Sequence, residues 1–177
     1  MKINNLMKIS KSALLILTFF ILSLSSCQKF AYDNDDETDN DTSSAGMTFK
    51  LDGTSKKANY GAGAIAQQIT FAGINSVQII GQVSEVEGVT IMISEFKGVG
   101  DYVDDDLIFV YLKNNDPNQN DRNAYSDKGG GKVKITSITD KLIKGSFQFT
   151  GYNSFDQAIV VSEGKFEAKL IVTAVPI

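Results

Sequence analysis

Leu142-Ile-Lys-Gly-Ser-Phe-Gln-Phe149 sets Phe147 and Phe149 against Ser146, Gln148 and Thr150 in strict alternation. Successive side chains of a strand point to opposite faces, so a period of two marks a strand with one face buried and the other in water. Thr48-Phe-Lys-Leu-Asp52, Val77-Gln-Ile-Ile-Gly-Gln-Val83, Val89-Thr-Ile-Met-Ile-Ser94, Leu107-Ile-Phe-Val-Tyr-Leu112, Lys132-Val-Lys-Ile-Thr136 and Lys165-Phe-Glu-Ala-Lys-Leu-Ile-Val172 each read as strands as well. Phe49, Leu51, Val133, Ile135, Phe147 and Phe149 therefore belong to the core.

Turn formers separate these runs: Asp52-Gly53, Glu87-Gly88, Gly98-Val-Gly100, Asn114-Asn-Asp-Pro-Asn-Gln-Asn-Asp121, Gly129-Gly-Gly131, Asp140-Lys141 and Glu163-Gly164. They tolerate left-handed backbone or cap tight turns. No segment after Cys27 sustains a helical period. The expected fold is all-β, a single antiparallel domain over 47–177, with strand spacing that suits a β-sandwich or a small β-barrel.

Upstream of this domain the character changes. Lys2, Lys8 and Lys11 precede the apolar run 13–24 with no acid among them, the order of a secretory signal. The run is about half the roughly 20 residues that a membrane-spanning helix needs. It ends in Leu24-Ser25-Ser26-Cys27, which resembles the lipobox of bacterial lipoproteins. That resemblance implies cleavage between Ser26 and Cys27, removal of 1–26 and lipidation of Cys27. Two or three acyl chains make a lasting anchor where one does not. Cys27 is the one cysteine of the chain, and lipidation accounts for a thiol that would otherwise be unpaired in an exported protein.

Residues 27–46 form the expected tether, with Asp33, Asp35, Asp36, Glu37, Asp39 and Asp41 crowded into nine positions. Such a composition cannot bury enough surface to offset ordering entropy, and nineteen flexible residues reach roughly 25 Å. The acids resemble the surface-export signals of Bacteroidota lipoproteins; a solvated spacer and a loose collector of divalent cations are the rival readings. The expected location is the outer membrane, with the surface favoured over the periplasmic face.

The chain carries a net charge of −4. Without 1–26 it loses three lysines and becomes −7, and the tether accounts for −5 of this, so the folded region is left with −2. No basic stripe suited to nucleic acid is legible in that balance, and a nucleic-acid partner is not expected.

The layout of 47–170 resembles a family of Bacteroidota lipoproteins of unassigned function. The match rests on Phe49-Lys-Leu-Asp-Gly53, a Gly100-Asp-Tyr102 turn, Gly131-Lys-Val-Lys-Ile-Thr136, Lys144-Gly-Ser-Phe-Gln-Phe149 and Ser162-Glu-Gly-Lys-Phe166. The aromatic residue, usually tryptophan, that follows the opening glycine in the family is absent, since Gly53 precedes Thr-Ser-Lys-Lys-Ala. The resemblance brings no catalytic residues.

With no histidine and one cysteine, the chain excludes histidine-assisted serine or cysteine catalysis, the usual zinc sites and histidine-held haem. No cofactor is expected. Asp101, Asp104, Asp105 and Asp106 form the densest acidic cluster of the domain, read as a solvated loop or a weak cation or ligand loop. Adjacent exposed acids have no burial to raise a pKa for acid–base work. Gly129-Gly-Gly131 precedes a strand, so it is not a phosphate cradle. Tyr102, Tyr111, Tyr125 and Tyr152 are candidates for an aromatic platform. The leading expectation is a membrane-anchored, non-enzymatic binding module whose partner is an envelope or extracellular protein or glycan. A structural envelope lipoprotein and a carboxylate-dependent glycan hydrolase are the alternatives.

Overall fold

A computed structural model describes residues 45–113, 124–125 and 130–174. The signal, the lipobox with Ser26 and Cys27, the acidic run and the loop 114–121 lie outside the described residues. Eleven strands are described: β1 (Gly46–Leu51), β2 (Thr54–Ala58), β3 (Ala64–Phe71), β4 (Ile74–Gln82), β5 (Gly88–Ile93), β6 (Gly100–Val103), β7 (Leu107–Leu112), β8 (Ala124–Tyr125), β9 (Gly131–Ile138), β10 (Leu142–Tyr152) and β11 (Ala158–Ala174). A 3-10 turn, Asp104–Asp106, joins β6 to β7.

The strands form one sheet in the order β2-β1-β11-β3-β4-β5-β7-β8-β10-β9-β6, and β10 also pairs with β11. That additional pairing curls the sheet into a half-barrel. The pivot is β11, seventeen residues long. Its first part runs antiparallel between β10 and β1, and from Lys169 to Ala174 it lies parallel to β3. The other described pairings are antiparallel.

The concave face carries the core. In β4 and β5 it is aliphatic, with Val77, Ile79, Val89, Ile91 and Ile93 all buried. In β9, β10 and β11 it is built from aromatic rings laid on glycine. Gly145 pairs with Phe166, Phe147 with Gly164, and Phe149 with Gly131. A Cβ on Gly164 would stand 2.6 Å from the Phe147 ring, and one on Gly145 would stand 2.6 Å from Cζ of Phe166. Two Gly-x-Phe triplets, Gly145-Ser-Phe147 and Gly164-Lys-Phe166, thus face each other antiparallel, each ring covering the other strand's glycine. Phe149 stacks on Phe109 at 4.7 Å between centroids, which carries the aromatic layer to β7.

Two turn assignments need correction. Glu163-Gly164 is no turn between strands: it lies inside β11, where Phe147 pairs with Gly164 and Phe149 with Val161. Ser162 and Glu163 both stand opposite Gln148, a β-bulge with Glu163 at φ 51°. A bulge and a turn share the same local chemistry, and only the partner strands distinguish them. Gly100-Asp-Tyr102 is likewise the start of β6, paired to β9. Strands β2, β3, β6 and β8 were not among the seven that the residue pattern marked.

Candidate functional site

On the convex side the two parts of the sheet differ in charge. Because Phe49, Val133, Ile135, Phe147, Phe166 and Ala168 point inward, the residues between them point out. Those outward positions hold Lys50, Lys57, Lys132, Lys134, Lys144, Lys165 and Lys169 against Asp101, Glu163 and Glu167. The register aligns them into rows. One row crosses six strands as Lys57, Thr48, Lys165, Ser146, Lys134 and Asp101. Neighbouring strands lie about 4.8 Å apart, so the backbones of successive lysines in the row are about 10 Å apart, with a hydroxyl side chain between each successive pair. The next row runs Ser55, Lys50, Ser162, then across the bulge to Gln148, Lys132 and Val103.

Ion pairs to described acids engage some of these lysines at exposed positions: Lys50 to Glu163 at 2.7 Å, Lys144 to Glu167 at 2.8 Å and Lys134 to Asp101 at 3.8 Å. Exposed pairs of this kind contribute about 0–1 kcal/mol and leave the field of the face positive. Lys57, Lys132 and Lys165 pair with no described acid. At the bulge the second row opens into a depression of about 210 Å³ lined by Gly130, Gln148, Thr150, Val160 and Ser162. Its side chains offer amide and hydroxyl groups, flanked in the row by Lys50 and Lys132.

No family model, curated protein or solved structure matches this chain. The site is therefore read from its own chemistry.

The acids singled out in sequence do not converge. Asp101 lies on β6 and is exposed, Asp105 is exposed, and the backbone carbonyl of Asp106 accepts a hydrogen bond from Ser94 N at 2.8 Å. Among the described residues no group of three acids is placed to hold a metal ion; the Asp104 side chain lies outside them. The tyrosines form no common platform. Tyr102 is buried, its hydroxyl donating to Gly98 O at 2.7 Å and accepting from Lys97 N at 2.9 Å. Tyr111 is 1% exposed and donates to Glu87 Oε1 at 2.8 Å. Tyr152 is half-buried at the end of β10, and the Tyr125 side chain is outside the described set. Gly131 opens β9 beneath the rings of Phe109 and Phe149.

One polar cluster went unread in the sequence. Glu87, in the turn between β4 and β5, also pairs with Lys56 of β2 at 2.9 Å. Burial, then the hydrogen bond and the charge of Glu87, push the Tyr111 hydroxyl well above the usual tyrosine value of 10.0. Tyr111 stays protonated as a donor, so the cluster ties β2, β7 and the β4–β5 turn together.

Sequence reasoning missed the lysine face because it summed charge along the chain. The signal was present as lysines an even number of residues apart, in Lys132-Val-Lys134 and in Lys165-Phe-Glu-Ala-Lys169, which places each pair on one face of its strand.

Proposed function

We propose that the chain is a membrane-tethered binding module of the cell envelope, exported by its N-terminal signal, held by lipid on Cys27, and engaging a partner through the lysine-studded face without turning it over. The observation that carries this reading is the segregation of charge: a domain with a net −2 concentrates seven lysines and three acids on one convex face. Such a field raises the local concentration of an anionic partner. The polar depression in the same face adds hydrogen-bonding groups. Asp101 and Asp105 are exposed, so these two acids do not form the close, enclosed carboxyl pair that the glycan-hydrolase alternative calls for.

A second reading draws on the meander. Strands β3, β4, β5 and β7 contain no charged residue, and Phe71 and Ile74 stand exposed at the β3–β4 hairpin. An uncharged, partly apolar surface suits packing against another envelope protein.

Anchorage is tested by growing cells on labelled palmitate and fractionating them. The native chain is expected to carry label and sediment with membranes, and Cys27→Ala to carry none and be released. Protease added to intact cells then decides the face: digestion of the native chain that is lost when the acids over 33–41 are neutralised supports surface display. An unlabelled native chain, recovered entirely in the soluble fraction, would remove the anchor from this reading.

A further inference from the structure

We infer that the ligand of the lysine-studded face is a linear acidic polysaccharide, its carboxylate or sulfate groups seated along the lysine row and its hydroxyls over the polar depression at the β11 bulge. This rests on the binding-module reading above and names its ligand class.

Three features of the face choose among polyanions. The described charges of the face are lysines, and the one arginine of the chain, Arg122, lies outside the described residues. Lysine is a compact point charge with rotatable donors, whereas planar, bidentate recognition of phosphate favours arginine. The two rows contain no aromatic side chain, while binding of single-stranded nucleic acid relies on aromatic platforms for its bases. Of the twelve row positions, Val103 alone is apolar, and a surface that docks on a bilayer adds apolar side chains that insert below the headgroups. A linear acidic glycan needs none of these.

What such a polymer does need is present. A glycan with one anion per disaccharide repeats its charge at an interval comparable to the roughly 10 Å between lysines two strands apart. Thr48 and Ser146 stand between those lysines, where sugar hydroxyls would fall. The depression is smaller than the roughly 300–1,000 Å³ of pockets that enclose a drug-sized ligand, so it suits one ring of a chain lying across the sheet.

The test uses the full-length lipidated chain purified in detergent, with hyaluronate, which carries one carboxylate per disaccharide, and dextran sulfate as acidic probes, neutral dextran as control, and phosphatidylglycerol vesicles as a separate arm. The native chain is expected to bind both acidic polymers, to ignore neutral dextran, and to release the polymers as salt shortens the screening length below about 5 Å. The combined Lys57→Gln, Lys134→Gln and Lys165→Gln variant should lose about tenfold or more in affinity. A control with the same change of net charge, Lys97→Gln, Lys113→Gln and Lys141→Gln, lies outside the two rows and should bind as the native chain does. Circular dichroism checks that both variants fold, and the salt release of the native chain gives a result independent of any variant.

Equal loss in the two variants would overturn the inference, as would binding to vesicles without binding to either polymer, or salt-insensitive binding that includes neutral dextran. A further arm separates this inference from the reading beneath it. If the Cys27→Ala chain adheres to isolated envelopes while neither polymer binds, the ligand class is wrong and the binding module stands. If it adheres to nothing, both fall.

Discussion

Strands β3, β4, β5 and β7 contain no charged residue, whereas β1, β2, β6, β9, β10 and β11 together hold eight lysines and three acids. The two groups also differ within. Strands β4 and β5 of the meander pack branched aliphatic side chains, while β9, β10 and β11 set phenylalanine rings on glycine backbone. The difference teaches that one continuous sheet can meet its burial requirement in two ways. Aliphatic packing fills space with interchangeable shapes. Ring-on-glycine packing fixes position, because a flat ring fits where a Cβ is missing and nowhere else. On the proposed reading, such packing would hold the convex lysines in register.

The sharpest way to break this contrast is Gly145→Ala. The new Cβ would meet the carbonyl of Lys134 and the Phe166 ring, with no room on either side. Destabilisation of about 3 kcal/mol is expected in urea unfolding, against less than about 0.5 kcal/mol for Ser146→Ala one residue away on the convex face. Equal effects would mean that the glycine pairing is incidental.

A smaller effect probes the seam that joins the two groups. Tyr111→Phe leaves the Glu87–Lys56 pair in place and removes one hydrogen bond, at a loss of about 1 kcal/mol at neutral pH. The hydroxyl has its pKa raised in the folded state, so the folded chain holds a proton that the unfolded chain releases above about pH 10. Stability contributed below that pH is therefore lost as pH rises, by up to about 1.4 kcal/mol per pH unit. Native and variant unfolding curves should converge between pH 10 and 11; parallel curves would refute the role of Tyr111.

The smallest effect sharpens the meander. Ala72 and Gly73 link β3 to β4 with φ of 50° and 80°, the pattern of a two-residue hairpin that favours Asn-Gly. Alanine is strained there and asparagine is not. Ala72→Asn should gain about 0.5–1 kcal/mol, seen as a rise in melting temperature.

Legibility followed the same division. The alternation in β9, β10 and β11 was plain because large rings and lysines alternate. Strand β3 was not marked because its inward residues are the small Ala64 and Ala66, while Ile65 and Ile69 face outward. Its turn was hidden by alanine in a left-handed position. Among the candidate sites, the acids and tyrosines stood out in sequence because of their residue type. The fold nevertheless spends Tyr102 and Tyr111 on its core and leaves Asp101 and Asp105 apart in solvent.

By itself the sequence determined an all-β chain and the facing of its most regular strands, because a period of two is a local property of extended backbone. Only the tertiary structure decided that Glu163-Gly164 is a bulge, that the Gly-x-Phe triplets interlock, and that lysines from five strands line up on one face. Register and strand order join residues far apart in the chain, and no local pattern encodes which strand becomes the neighbour of which.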